Sequence, residues 1–382
     1  MSAVLPIQFL DGPRGGRIAY AVNGSGPLLV CPAWWVSHLE MDWGYEPFRR
    51  FFERLGQTHT VVRYDRPGAG LSSGSEEAES LDSEVSLDSE VEVLAAVFDH
   101  LEIETAALFA VSCAGPTALT FAAAQPQRVS RLALYGSYAT GFDIGPQEVF
   151  DAFCSLVEAH WGLGSEALAH VLHPALAGGD LHQLGRRQRA AADPAHACRL
   201  LRMSYALDAS ASLTGVTCPT LVIHRQGDRT IPLAAGRKLA ARLPGCSLLT
   251  LEGDAHLPWE GAGDVAEVVA AFLAEEPLAR TQPAGDSSRL AGPDLRHDRD
   301  NRELLVDGER RPLTPLEHGL LCYLTDRAGS VVTRDDALRD VWEQPFAGSN
   351  VVDAVVRTLR RKLGPYADTI ETVTGHGYRF RD

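Results

Sequence analysis

The sequence predicts a doubly wound, mostly parallel α/β sheet under a helical cap, followed by a smaller domain of helices and a hairpin. Three observations carry that expectation. Short apolar runs alternate with helical patterns through the first part of the chain, as strands and crossover helices do in a parallel sheet. The strand signal stops between Ser137 and Leu213, where the pattern is helical. Finally, PLARTQPAGDSSRLAGPDL (Pro277–Leu295) has the composition of a linker, and the residues beyond it open strand–turn–strand before turning helical. A chain of 382 residues is also too long for one ordinary core.

In order, the strands are expected at Leu28–Cys31, Thr60–Tyr64, Ala107–Val111, Arg131–Leu134, Thr220–His224 and Ser247–Leu251. The first domain spans 1–276 with its cap at about 137–213, the linker 277–295 and the second domain 296–382. The near-repeat LDSEVSLDSEV (Leu81–Val91) reads as a solvated, acidic helix start, where negative charge suits the helix dipole. In the second domain ELLVDGERRPL reads as a hairpin. Apolar residues at Val352, Val355/Val356, Leu359 and Leu363 make one buried helix face. Glu371–Phe380 reads as a second hairpin.

Composition narrows the classes. Hydrophobic residues are 45% and charged residues 22%, as in soluble globular proteins. Without a run of about 18 apolar residues no membrane span is expected, and the N-terminus lacks the pattern of a secretory signal. Seven scattered cysteines without a CxxC pair argue against a disulfide framework and a zinc site. They fit a reducing cytoplasm, and no cofactor or metal is expected. The net charge is −15, but Pro293–Asp382 holds 14 Lys+Arg against 16 Asp+Glu, so the acidic surplus belongs to the first domain.

Three polar residues each follow an expected strand: Ser112 after ALFAV, Asp228 after LVIH, and His256 after SLLTL. Active groups collect at the carboxyl ends of strands in open α/β sheets. Asp254 and Asp65 are rivals for the carboxylate. The segment AVSCAGP around Ser112 has small residues where a strained strand-to-helix turn would need them. Cys113 is excluded as the nucleophile, because that register puts Val111 where a tiny side chain is required.

Residues from Gln8 to about Glu276 resemble the α/β-hydrolase fold. AVSCAGP is similar to its G-x-S-x-G elbow, with Ala110 and Ala114 replacing glycines. RYDRPGAGLS (Arg63–Ser72), HRQGDRTIP (His224–Pro232) and LEGDAHLPWE (Leu251–Glu260) resemble its strand-to-turn, acid and histidine segments. The resemblance implies a catalytic triad of Ser112, Asp228 and His256. It implies an oxyanion hole from the backbone N–H of Cys113 and that of Trp34, although Pro32 and Ala33 stand where the family has His and Gly. Trp34, Trp35, Trp161 and Trp259 are candidates to line an apolar acyl pocket. His160, His170, His173 and His182 are read as surface or core residues of the cap.

Arg299–Phe380 resembles the winged helix-turn-helix effector domain of OmpR/PhoB-type response regulators, on its T-P-x-E, VW, R-x-L-R-x-K-L and G-x-G-Y-R-F pieces. The helix face opposite the Val352–Leu363 apolar stripe carries Asn350, Arg357, Thr358 and Arg361, which suits the major groove, and the resemblance implies that Asn350, Arg357, Thr358 and Arg360 face DNA. It puts Thr372 and Thr374 on the wing with Arg379 near its base; position 374 is often arginine in the family. A hydrolase-like domain stands where this effector class carries a phosphoacceptor receiver. The expected function is a one-component transcriptional regulator that binds, and hydrolyses, a small ester-, lactone- or amide-type ligand and reads double-stranded DNA as a homodimer. The alternative is a serine hydrolase with a regulatory or vestigial appendage.

Overall fold

The computed structural model describes residues 5–74, 86–175, 178–261, 265–274, 288–289, 295–299, 303–337, 350–373 and 376–381. The chain divides into two units, Met1–Pro277 and Leu278–Asp382.

The first unit is built on a sheet of β1 (Ile7–Asp11), β2 (Arg17–Gly24), β3 (Leu28–Cys31), β4 (Thr60–Tyr64), β5 (Ala106–Val111), β6 (Val129–Tyr135), β7 (Thr220–Arg225) and β8 (Cys246–Leu251). Its order is β1-β2-β4-β3-β5-β6-β7-β8. β1 and β2 pair antiparallel, as do β2 and β4, and every later pairing is parallel. The doubly wound, mostly parallel sheet is therefore present, with an antiparallel hairpin at one edge. β5 is buried at all of its positions, which is why AALFAV reads as an unbroken apolar run.

The helices of this unit are α1 (Leu39–Gly44), α2 (Glu46–Leu55), α3 (Leu87–His100), α4 (Ala114–Ala124), α5 (Gln147–Ala159), α6 (Trp161–Leu172), α7 (Gly178–Ala191), α8 (Pro194–Ala206), α9 (Leu233–Arg242) and α10 (Val265–Ala274). α5 to α8 lie between β6 and β7 and form the cap over their own apolar cluster, which includes Phe150, Val157, Leu168 and Leu200. A backbone bridge between Thr140 and Asp208 closes the neck of the insertion. α3 opens with a capping box in which the side chains of Ser86 and Ser89 satisfy each other's amides. The acidic helix start is not wholly solvated, however. Glu90 is buried and pairs with the buried Arg66 at 2.8 Å; Leu81–Val85 lie outside the described residues.

The second unit contains β9 (Ser288–Arg289), β10 (Leu295–Asp298), β11 (Glu303–Val306), β12 (Glu309–Pro312), α11 (Pro315–Thr325), β13 (Val332–Thr333), α12 (Arg334–Ala337), α13 (Asn350–Leu363), β14 (Ile370–Val373) and β15 (Gly377–Phe380). Two antiparallel sheets run β12-β11-β10-β9 and β13-β15-β14. The core joins Leu320, Leu321 and Leu324 of α11 to Val352, Val356, Leu359 and Leu363 of α13. Thr314 and Glu317 cap α11 reciprocally. The expected linker is shorter than its composition suggests. Ser288 and Arg289 pair with His297 and Arg296, and Leu295 already belongs to β10. No described helix is long and apolar enough to cross a membrane.

Candidate active site and nucleic-acid interface

β5 delivers Ser112 to the carboxyl edge of the sheet and α4 starts two residues later. Ser112 has φ of 56°, the left-handed region that non-glycine residues rarely occupy. Three hydrogen bonds hold the strained turn: Ser112 N–H to Tyr135 O at 2.9 Å, Ser137 Oγ–H to Ser112 O at 2.8 Å, and Gly115 N–H to Ser112 O at 3.1 Å. Gly115 must lack a side chain, since a Cβ there would fall 1.8 Å from Ser137 Oγ. Neither Ala110 nor Ala114 takes a positive φ, so the alanines that replace glycines carry no backbone strain.

β7 and β8 end in two loops zipped together by Gln226 N–H to Leu251 O and Gly227 N–H to Gly253 O. This brings His256 Nδ1 within 2.7 Å of Asp228 Oδ2. Oδ1 of the same carboxylate accepts the amides of Thr230 and Ile231 at 2.9 and 3.1 Å. Burial opposes the charge on Asp228, but the His256 ring, its hydrogen bond and the Ile231 amide outweigh it, and the carboxyl is held below its ordinary range. His224, behind it, donates from Nε2 to Ile231 O and is kept neutral by burial. Asp65, a rival for the carboxylate, instead ties its loop by accepting from Ser37 Oγ, Leu39 N and Leu71 N. Gly136 (φ 53°) leaves room for the pair, because a Cβ there would stand 3.1 Å from the His256 ring.

His256 Nε2, the nitrogen opposite the Asp228 contact, is buried and has no hydrogen-bond partner among the described residues. It lies with Ser112 on the wall of a small chamber of about 30 Å³, which Trp34, Trp35, Trp259 and Arg187 also line. On the cap side Ser112 and Cys113 border a second, larger cavity of about 240 Å³. Phe150, Phe153, Leu168, Leu172 and Leu201 give that cavity apolar walls, and Arg229 is among its few polar groups. Trp161 lines neither chamber. Its indole N–H donates to Ala192 O at 2.9 Å, which turns the ring into the packing of the cap, so it is not a pocket residue.

Two arginines that motif reading left without a role are part of this site. Arg66, from the RYDRPGAGLS segment, donates to Ala33 O and Trp35 O, both at 2.9 Å, and to Glu90. It thereby fixes the carbonyl directions of the loop that contains Trp34. Arg187 on α7 is buried, stacks over the Tyr45 ring at 3.8 Å, and leaves Nε without a partner among the described residues. Little in the sequence marks either: Arg66 precedes Pro67 and Gly68, and Arg187 is one of three arginines in the run Arg186–Arg189 of α7. Arg225 performs a similar service below the triad, donating to Tyr135 Oη, Glu252 O and Glu260 O.

In the second unit α13 presents Arg357 and Arg361 to solvent opposite its buried apolar face. Arg360 has other partners: its guanidinium donates to Ile370 O and to Thr372 Oγ1, bracing the helix against the hairpin. Thr358 Oγ donates back to Val355 O within the helix. Arg379 pairs with Glu371 at 2.6 Å. The expectation that Arg360 faces DNA is corrected accordingly, since a strand carbonyl and a threonine hydroxyl claim its guanidinium, while Arg379 stays 37% exposed near the base of the wing. The side chain of Asn350 and all of Thr374 lie outside the described residues.

Residues 26–156 match the family described as alpha/beta hydrolase fold, and residues 308–380 the family described as transcriptional regulatory protein, C terminal. The first unit has the alpha/beta hydrolase fold, and the chain belongs to the transcriptional regulatory family through its second unit. The hydrolase-fold unit is similar to a hydrolase from Pseudomonas aeruginosa PA01, with a TM-score of 0.59 and 24% identity over 70% of this chain and 98% of that one. The curated relatives are transcriptional regulators. The transcriptional regulatory protein CseB of Streptomyces avermitilis is 36% identical over 32% of this chain and 55% of its own length. CutR of Streptomyces coelicolor is 31% identical over 40% of this chain and 76% of its own. The chain thus spans about half the length of CseB. The regulatory unit is of the OmpR/PhoB type, a winged helix.

Proposed function

We propose that the protein is a one-component transcriptional regulator whose hydrolase-fold unit binds and hydrolyses a small ester-, lactone- or amide-type ligand, while its winged helix binds double-stranded DNA. The observation that carries this reading is that Ser112 and His256, the latter bonded to Asp228, line one chamber beside a larger apolar cavity, in a chain whose other unit is a regulatory winged helix.

In this reading His256 Nε2 takes the proton of Ser112 Oγ as Oγ attacks the ligand's carbonyl carbon. Asp228 holds the ring in the Nδ1–H tautomer and stabilises the imidazolium. The amides of Cys113 and Trp34 receive the oxyanion. His256 then passes the proton to the leaving oxygen or nitrogen, the acyl group stays on Ser112, and a water activated by the same imidazole releases it as a carboxylic acid. The acyl part occupies the larger cavity, with walls such as Phe150 and Leu201, and an acceptor on the ligand meets Arg187 in the smaller one. DNA is read by α13 with Arg357 and Arg361 outward and by the wing around Thr372.

A fluorophosphonate probe tests the first half: it should label the wild type and not Ser112→Ala. A mobility shift at low salt with DNA from beside the protein's own gene tests the second half, and failure to shift any such DNA overturns it. A second reading, a hydrolase with a non-reading appendage, draws on two observations. The region Pro293–Asp382 carries a net charge of −2, from 14 basic and 16 acidic residues, and Arg360 and Arg379 are engaged within the unit. Labelling without any shift would select it.

A further inference from the structure

The second unit holds a group of side chains with no part in the function proposed above. His297 lies on β10, and His318 and Cys322 lie four residues apart on one face of α11. His297 Nε2 is 3.1 Å from His318 Nδ1, and Cys322 Sγ is 3.6 Å from His318 Nε2. One donor atom from each residue can be chosen so that all lie within 4.8 Å of one another. His297 is fully buried, and its Nδ1 has no hydrogen-bond partner among the described residues. A buried imidazole with an unused nitrogen costs free energy that a packed apolar residue would not.

We propose that His297, His318 and Cys322 form a binding site for one zinc ion. Two imidazoles and a thiolate are the donors that this borderline-soft cation takes in tetrahedral sites. With Zn–N near 2.0–2.1 Å and Zn–S near 2.3 Å, tetrahedral geometry separates two nitrogens by about 3.3 Å and a nitrogen from a sulfur by about 3.6 Å. The contacts at 3.1 and 3.6 Å fall near those separations but do not share one His318 donor atom, and with one donor from each residue the three lie within 4.8 Å. Binding therefore requires that ring to turn and the donors to close by on the order of 1 Å. The fourth position falls to water or to Asp326, one turn beyond Cys322, whose carboxylate now pairs with Arg299 at 2.6 Å. Zinc takes neutral imidazoles and a thiolate, so binding releases the Cys322 thiol proton to solvent. The absence of CxxC pairs predicts no zinc site, but that test overlooks a His-x-x-x-Cys pair brought to a histidine distant in sequence.

The test uses the full chain, stripped with a chelator and titrated with zinc against a chromophoric competitor, then with cobalt as a spectroscopic stand-in. One zinc per chain is expected, and cobalt should give the intense visible bands of four-coordination together with a thiolate-to-metal charge-transfer band. Cys322→Ser should abolish the charge-transfer band and weaken zinc binding by at least about tenfold, as should His297→Gln. Cys246→Ser, which alters a thiol of β8 in the other unit, should leave both unchanged. Should His297→Gln fail to fold, the Cys322→Ser spectrum decides alone. No zinc bound at one equivalent, or a charge-transfer band that survives Cys322→Ser, overturns the proposal and leaves a hydrogen-bonded His–His–Cys trio.

Discussion

The two units place their working groups in opposite ways. In the hydrolase-fold unit the polar residues that matter are buried and partnered before any ligand arrives: Asp228 has three donors, Arg66 three acceptors, and His256 one free nitrogen. In the regulatory unit Arg357 and Arg361 are exposed on α13, and Arg360 between them is braced against β14. Buried groups can be preorganised because the surrounding fold bears the cost of desolvating them. Exposed cations gain little until a polyanion replaces their counterions. Substitutions in the first unit should therefore act on chemistry and on folding together, whereas those at the exposed Arg357 and Arg361 should act on binding alone.

The largest expected effect is at Asp228. Asp228→Asn removes the charge that holds His256 in its tautomer, and the rate constant for fluorophosphonate labelling should fall by about 10³–10⁴. DNA binding in the same preparation should be unchanged. A loss smaller than tenfold would mean that Asp228 is not the orienting carboxylate, and a loss of DNA binding would break the contrast between the units.

Arg66→Met should come next. It strands the buried Glu90 carboxylate and frees the carbonyls of Ala33 and Trp35. Removing one partner of a buried pair costs about 3–5 kcal/mol, to be read from denaturant unfolding of the first unit. Labelling by the probe should slow even in the folded fraction, because the loop bearing Trp34 loses its anchor. Intact labelling with lowered stability would make Arg66 a structural residue only.

Burial, which hides such residues from sequence reading, also explains what was legible. Most of the parallel strands stand out because both faces of the sheet are covered there, completely at β5 and β7, while the edge strand β8 is half-exposed. The β1–β2 hairpin does not, since β1 is largely solvent-facing and its sequence IQFLDGPRGG mixes both patterns. The Ser–Asp–His order is visible because each residue follows a strand. Arg66 and Glu90 are not, because their 24-residue separation says nothing of a buried pair. Trp161 and Arg360 misled for a related reason: residue type suggested a role, and a nearby carbonyl, Ala192 O or Ile370 O, claimed the polar atom instead.

Acid should act on the first unit through a buried imidazole. Burial, aided by Arg199 and Arg66, lowers His196 to about 4, and its Nε2 has no partner among the described residues. Because the folded value lies below the unfolded one of about 6.5, the folded state holds fewer protons between them. The stability is whole above about pH 6.5 and is lost as pH falls toward 4, by on the order of 2–3 kcal/mol. Unfolding midpoints of the first unit should follow that slope, and His196→Gln should flatten it. An unchanged slope in the variant would assign the loss to other groups.

The smallest effect should be on α13. Arg357→Ala deletes one exposed cation with no buried partner to strand, so stability should stay within about 0.5 kcal/mol of the wild type. If Arg357 touches a phosphate, DNA affinity should fall by about 1 kcal/mol alike on all sequences, and the slope of log affinity against log salt should drop by roughly one. If it grips a base edge, the loss should instead concentrate at one position of the site and reach about 1–3 kcal/mol. Arg360→Ala gives the opposite pattern: its bonds to Ile370 O and Thr372 make it a brace, so the hairpin should loosen with little change in the salt slope. Equal salt slopes for the two variants would mean that Arg360 leaves β14 when DNA arrives, and that its inward turn is a feature of the free protein.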